Sequence, residues 1–79
     1  WLEASMSAQR DMFNTARQQG VGIMAWKDTD FKDEHHYIVM AQNHKLEFVT
    51  WTWANGGFHN GHYYNDNEMA AWSDYKERT

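Results

Sequence analysis

Cysteine and proline are both absent from the 79 residues. Without cysteine there is no disulfide and no thiolate chemistry, and the redox compartment stays open. Without proline there is neither a rigid linker nor a proline isomerisation switch. Aliphatic side chains are scarce as well. Leu, Ile, Val and Phe together number 11, a level ordinarily read as disorder. Five Trp, five Met and four Tyr reverse that reading, because each aromatic ring buries a large area on a stiff side chain. The core is therefore expected to be built from aromatics and thioethers. Positive charge is also in deficit, with 7 basic against 11 acidic residues and a formal charge of −4. Lys27, Lys32, Lys45 and Lys76 are scattered, which disfavours direct nucleic-acid binding through the phosphate backbone. No apolar run approaches the ~18 residues of a membrane span, and no signal-peptide pattern is present. One small, soluble, cytoplasmic domain covering 1–79 is the expectation, in the size range where burial only just suffices for folding. Met6-Ser7 has the form of a natural start, so residues 1–5 read either as an appended remnant or as the first turn of a helix.

What is present centres on residues 46–66, LEFVTWTWANGGFHNGHYYND. LEFVTWTWA has the aromatic and β-branched composition of a part-buried strand. Asn55-Gly56-Gly57 supplies residues that accept positive φ, and FHNGHYYN returns as a second aromatic strand, giving a hairpin. Ahead of it, helical spacing runs from Leu2 to Gln19, with Leu2, Met6, Phe13 and Ala16 in the stripe and Met12 beside it. Gly20 stands where a left-handed helix terminator is expected. VGIMAWK, 21–27, reads as a strand whose Gly22 suggests a bulge or a close backbone approach. Residues 28–34 form a charged connection, with Phe31 folded back onto the core. HHYIVMAQ, 35–42, is the next strand, and Asn43-His44 is read as a two-residue turn. That register sets Val39 opposite Phe48 and His36 opposite Trp51. One face then carries Tyr37, Val39, Ala41, Leu46 and Phe48, and the other His36, Ile38, Met40, Val49, Trp51 and Trp53. A one-residue slip would exchange the faces. Asn65-Asp66-Asn67-Glu68 has capping-box spacing, so a helix opens near residue 66 with Met69, Trp72 and Tyr75 as its apolar stripe. The expected fold is α+β, an antiparallel three- to four-stranded meander flanked by an N-terminal and a C-terminal helix, in the order α-β-β-β-β-α.

The second half also carries a resemblance. TW, a variable turn, GGF, then GHYYND and an acidic helix ending in ER resembles short uncharacterised proteins of bacterial phages and conjugative elements, over about residues 48–78. The resemblance implies no known activity. It implies a mobile-element context, in which small acidic proteins often block host defence machinery.

Three constellations are candidates for chemistry. Among the histidines, His36 and His59 meet across strand three if both registers hold, and His62 joins them only if Gly61 bulges its strand. Glu47 would then complete a zinc site, although neither histidine spacing matches a recognised ligand motif. Asp28, Asp30, Asp33 and Glu34 resemble a calcium loop but lack the glycine and the bidentate glutamate, so a solvated loop is the better reading. The aromatic face is the most informative. Trp51, Trp53, Tyr63 and Met40, with Glu47, are either the core of an aliphatic-poor domain or the centre of a partner-binding surface. Nothing marks a phosphate loop, a nucleophile elbow or a metalloprotease helix, and Ser5, Ser7 and Ser73 lack activating neighbours. No catalytic residue and no cofactor are expected. The sequence thus supports a non-enzymatic protein-binding module, an inhibitor of a host defence protein of anti-CRISPR or anti-restriction type. The alternative is a small metal- or ligand-binding domain using His36, His59 and His62. A homodimer follows if the face with Trp51 and Trp53 is left uncovered, since neither edge strand contains proline and only Lys27 guards the first.

Overall fold

A computed structural model describes residues 2–29 and 36–79, with the side chains of 2–6 left aside. Its elements are α1 (Leu2–Gln18), β1 (Gly22–Asp28), β2 (Tyr37–Gln42), β3 (Phe48–Ala54), β4 (Gly57–Tyr63) and α2 (Glu68–Glu77). The strands form one antiparallel sheet in the order β1-β2-β3-β4. The α-β-β-β-β-α meander of the sequence reading is therefore the fold. Residues 30–35 lie outside the described residues, and with them Phe31, His35 and most of the calcium-like run.

Local chemistry sets the ends of these elements. Gly20 adopts φ 72, Val21 N–H donates to Ala16 O (2.8 Å) and Gly20 N–H to Arg17 O (3.2 Å), the paired bonds of a Schellman terminator. Asn55 and Gly56, at φ 51 and 78, make the two-residue turn that joins Ala54 to Gly57. The turn between β2 and β3 corrects the sequence reading. Asn43 N–H donates to Glu47 O (3.0 Å) and Leu46 N–H to Asn43 O (2.9 Å), so the loop proper is 44–46, with Leu46 in the left-handed region at φ 64. Val39 consequently faces Trp51 instead of Phe48, three residues further along β3, and Tyr37 faces Trp53. An odd shift exchanges the faces. Tyr37, Val39, Ala41, Val49, Trp51 and Trp53 now share one side, and Ile38, Met40, Thr50 and Thr52 the other.

The first side is the core. Met12 of α1 is fully buried among those six residues, with Ala8, Val21, Ile23 and Phe58 around them. Phe58 lies 4.8 Å from Trp51 and 5.0 Å from Trp53 between ring centroids, Trp53 being edge-on. Among the described side chains of α1 the stripe is thus Ala8, Met12 and Ala16, while Leu2 and Met6 lie outside them. Phe13 sits at its margin, half exposed and edge-on to Trp26 at 6.2 Å. Both sides of the sheet are covered: α1 occupies the side with Trp51 and Trp53, and α2 packs on β2 and β3 from the other, so of the two readings left open for the tryptophans the core is the one seen.

The second helix opens later than its spacing suggested. Asn67 is the N-cap, its Oδ1 accepting from Ala70 N–H at 3.1 Å, while Asn65 is left-handed at φ 52. Met69 is 84% exposed, and Ala71 is the residue of α2 that the sheet buries completely. Trp72 and Tyr75 lie half-buried, in edge contact at 5.7 Å. Both edge strands are bulged, a guard that composition does not reveal. Met24 is unpaired between Ile23 and Ala25. On β4, Asn60 and Gly61 together oppose Trp51, between the pairs Thr52–His59 and Thr50–His62.

Candidate functional site

Strand β3 alternates Thr50, Trp51, Thr52, Trp53, so one period-two pattern sends tryptophans to α1 and threonines to α2. The β4 bulge, with Asn60 at φ 56, restores phase so that His59 and His62 both pair with threonines. Gly61 makes this possible. A Cβ there would lie 2.6 Å from Trp51 Nε1, so the indole rests directly on the glycine backbone. Asp74 of α2 and the helix's C-cap residue Arg78, four positions on, stand over the threonine side.

Asp74 is the hub. Its Oδ2 accepts from the Thr50 hydroxyl and lies 2.9 Å from His62 Nδ1, and its carboxylate also accepts from the Tyr64 phenol. Arg78 Nη1 donates to Asn60 O (2.9 Å) and to Thr50 Oγ1 (3.1 Å), and Nη2 to Thr52 Oγ1 (3.0 Å). Its Nη1 is 3.9 Å from Asp74 Oδ2. Burial alone would raise the Asp74 carboxyl. Hydrogen bonds from Thr50, His62 and Tyr64, with the charge of His62, outweigh it and hold the group below the usual carboxylate range. Tyr64 moves upward, first through burial and then through its bond to Asp74. Chemically this is a clamp that joins α2 to β3 and β4, with one group turned outward. His62 spends Nδ1 on Asp74, which fixes the ring and leaves Nε2 toward solvent.

The residues singled out from sequence separate accordingly. Trp51, Trp53 and Met40 are buried and unavailable to a partner on this surface, whereas Tyr63 is 56% exposed and Glu47 half-buried. The bulge that the histidine site required does exist. It does not assemble that site, because His59 Nε2 is 2.9 Å from Ala54 O and His62 is held by Asp74. His36 precedes β2, two strands from β4 in the sheet. Among the described residues no group of three or more His, Asp or Glu could hold a metal ion. Sequence reasoning missed Thr50, Thr52, Tyr64, Asp74 and Arg78. A signal was available in the TWTW alternation and in Ala71, Asp74 and Arg78, which recur at helical spacing.

The end of the sheet where β3 begins and β4 finishes carries a second feature. Asn43 Oδ1 accepts from Lys45 N–H and Glu47 N–H, both at 3.0 Å, and its Nδ2 donates to Glu47 Oε1 at 3.0 Å. Gln42 Nε2 donates to Leu46 O at 3.2 Å. This network holds Leu46 in a left-handed conformation with 70% of its surface in water. Exposed Tyr63 and Met69 belong to the same end, as do Glu47, Asp66 and Glu68. No helix among the described residues is long and apolar enough to cross a membrane. No family model, curated protein or solved structure matches the chain.

Proposed function

We propose that this chain is a non-enzymatic protein-interaction module, of the kind by which a phage or mobile element inhibits a host defence protein in the cytoplasm. One observation carries the reading. Leu46 is an exposed leucine held at positive φ, where an L side chain costs about 1–2 kcal/mol and glycine would cost little. Strain of this kind clusters where a chain binds something. The exposed Leu46 tip, next in sequence to the Glu47 carboxylate, suits a partner surface that offers an apolar pocket beside a cationic group. The net charge of −4 and the resemblance of residues 48–78 to mobile-element proteins point the same way. Affinity capture from bacterial lysates tests it with wild type and Leu46→Gly side by side. A stoichiometric partner should be retained by the first and lost by the second, although the variant folds more stably. Failure to recover any such partner across several hosts counts against the module.

A metal- or ligand-binding domain is the second reading, supported by the outward Nε2 of a carboxylate-held His62. Melting with zinc, nickel and a chelator decides it, since a ligand at ~100 times its dissociation constant adds about 2.7 kcal/mol. Superimposable melts remove this reading. A homodimer built on Trp51 and Trp53 has lost its motivation, because α1 already packs on that face.

A further inference from the structure

The chain contains two Asn-Gly pairs, Asn55-Gly56 and Asn60-Gly61, and all four residues are exposed. An asparagine followed by glycine can lose its side-chain amide. The glycine nitrogen attacks the asparagine Cγ, a bond forms between them, and the Cγ–Nδ2 bond breaks. Ammonia leaves with the proton shed by the attacking nitrogen, and water then opens the cyclic imide to aspartate or isoaspartate. No oxidant or reductant enters. Attack needs rotation about the asparagine Cα–C bond and a glycine N–H that gives up its proton readily.

We propose that Asn60 is a built-in deamidation site of the folded protein, activated by Arg78, and that Asn55 is not. Two observations separate the two pairs. Arg78 Nη1 donates to Asn60 O at 2.9 Å, and that oxygen belongs to the same peptide unit as the Gly61 nitrogen. A guanidinium on the carbonyl draws charge from the amide and stabilises the amidate that must form for attack. Asn60 also lies in the bulge, where it and Gly61 share the position opposite Trp51 instead of each holding a one-to-one cross-strand pair. Asn55 instead sits inside the two-residue turn that closes Ala54 onto Gly57, where rotating the Cα–C bond opens the hairpin. Neither side-chain amide is hydrogen-bonded among the described residues, so the contrast rests on the backbone environment. The product adds one negative charge to β4, beside Arg78. Its isoaspartyl form lengthens the backbone where Gly61 already lies against the Trp51 indole.

Incubation of the purified protein at mildly alkaline pH, followed by peptide mass analysis, measures both sites in one sample. In the folded protein Asn60 should convert about tenfold faster than Asn55, the ratio expected from one charge-assisted hydrogen bond to the reacting amide. In concentrated urea the two sites should convert at about equal rates, since both are followed by glycine. Arg78→Gln should bring the folded ratio down toward the urea value, and Asn60→Gln should abolish the faster product while leaving the Asn55 product. A folded ratio at or below one, a ratio untouched by Arg78→Gln in a variant that retains its far-ultraviolet spectrum, or equal preference with and without urea overturns the assignment.

Discussion

The two faces of the sheet hold their helices by different means. On the α1 side, Met12 enters a bed of Tyr37, Val39, Trp51 and Trp53, and cohesion comes from buried apolar area. On the α2 side, Ala71 meets a face that also buries Ile38 and Met40, Trp72 and Tyr75 are half-buried, and Asp74 and Arg78 reach down to Thr50, Thr52, His62 and Tyr64. One strand supplies both surfaces through a two-residue repeat. The difference teaches that a small domain poor in aliphatics can cover a second face with a smaller apolar contact, provided the polar groups around it satisfy one another. Such a face is directional. It resists misalignment more than apolar packing does, and fails more abruptly when one member is removed.

The sharpest way to break the comparison is to damage each face in turn. Trp53→Ala removes a fully enclosed ring and should cost about 3–5 kcal/mol, most of the stability available to a domain of this size. Chemical denaturation should show the loss as one cooperative transition, because the core spans β2, β3 and α1. Arg78→Met keeps the aliphatic stem but strips the donors from Thr50, Thr52 and Asn60. It should cost about 2–3 kcal/mol. Hydrogen exchange should then show α2 amides opening while β2 and β3 remain protected. Equal loosening of α1 in that variant would mean that the two faces are not independent.

Acid provides a milder probe of the same contrast. The folded Asp74 carboxyl lies below its ordinary value, so the unfolded chain binds the proton first as pH falls. The clamp's contribution is complete above the unfolded aspartate value of about 3.9 and is lost as pH drops through the folded value. Stability should therefore decline in that acid window, and Asp74→Asn should flatten this part of the profile while lowering stability at neutral pH. His62, Arg78, Tyr64 and Glu77 are the charged or titratable groups acting on this cluster. A wild-type profile that matches Asp74→Asn throughout acid pH would remove Asp74 as the electrostatic centre. Gly61→Ala gives a smaller effect on the other side. Its methyl group would press on the Trp51 indole at 2.6 Å, and overpacking of that kind costs roughly 1–3 kcal/mol.

How far the sequence could be read follows from what each signal measures. Element order was legible because strand composition, Asn55-Gly56 and Gly20 are local chemistry. The β2–β3 register was not, because Asn43 accepts two backbone N–H groups through its side chain and lengthens the turn beyond Asn43-His44. That one misplacement assigned Tyr37 and Val39 to a different face from Trp51 and Trp53, and left it open whether the tryptophans were core or interface. The clamp was illegible for another reason. Asp74 and Arg78 look like ordinary exposed helix charges until the threonine face of β3 is set beneath them. The edges looked unguarded because a bulge leaves no compositional mark beyond glycine, and Asn60 and Met24 carry it as much as Gly61 does.

The smallest expected effect bears most directly on function, because its sign is opposite to the rest. Leu46 lies outside both faces, at the tip of the turn that set the register, with 70% of its surface in water. Replacing it with glycine removes the Cβ clash of a left-handed residue, while the Asn43 and Gln42 hydrogen bonds use backbone atoms that glycine retains. Greater backbone freedom in the unfolded state offsets part of the gain. The net expectation is stabilisation of about 0.5–1 kcal/mol, read as a higher denaturation midpoint with unchanged slope. A destabilised Leu46→Gly would show that the leucine side chain packs usefully in the free protein, and the argument that its strain is kept for a partner would fall. Stabilisation with loss of the captured partner is the combination that the interaction reading requires, because a merely structural leucine would not give both.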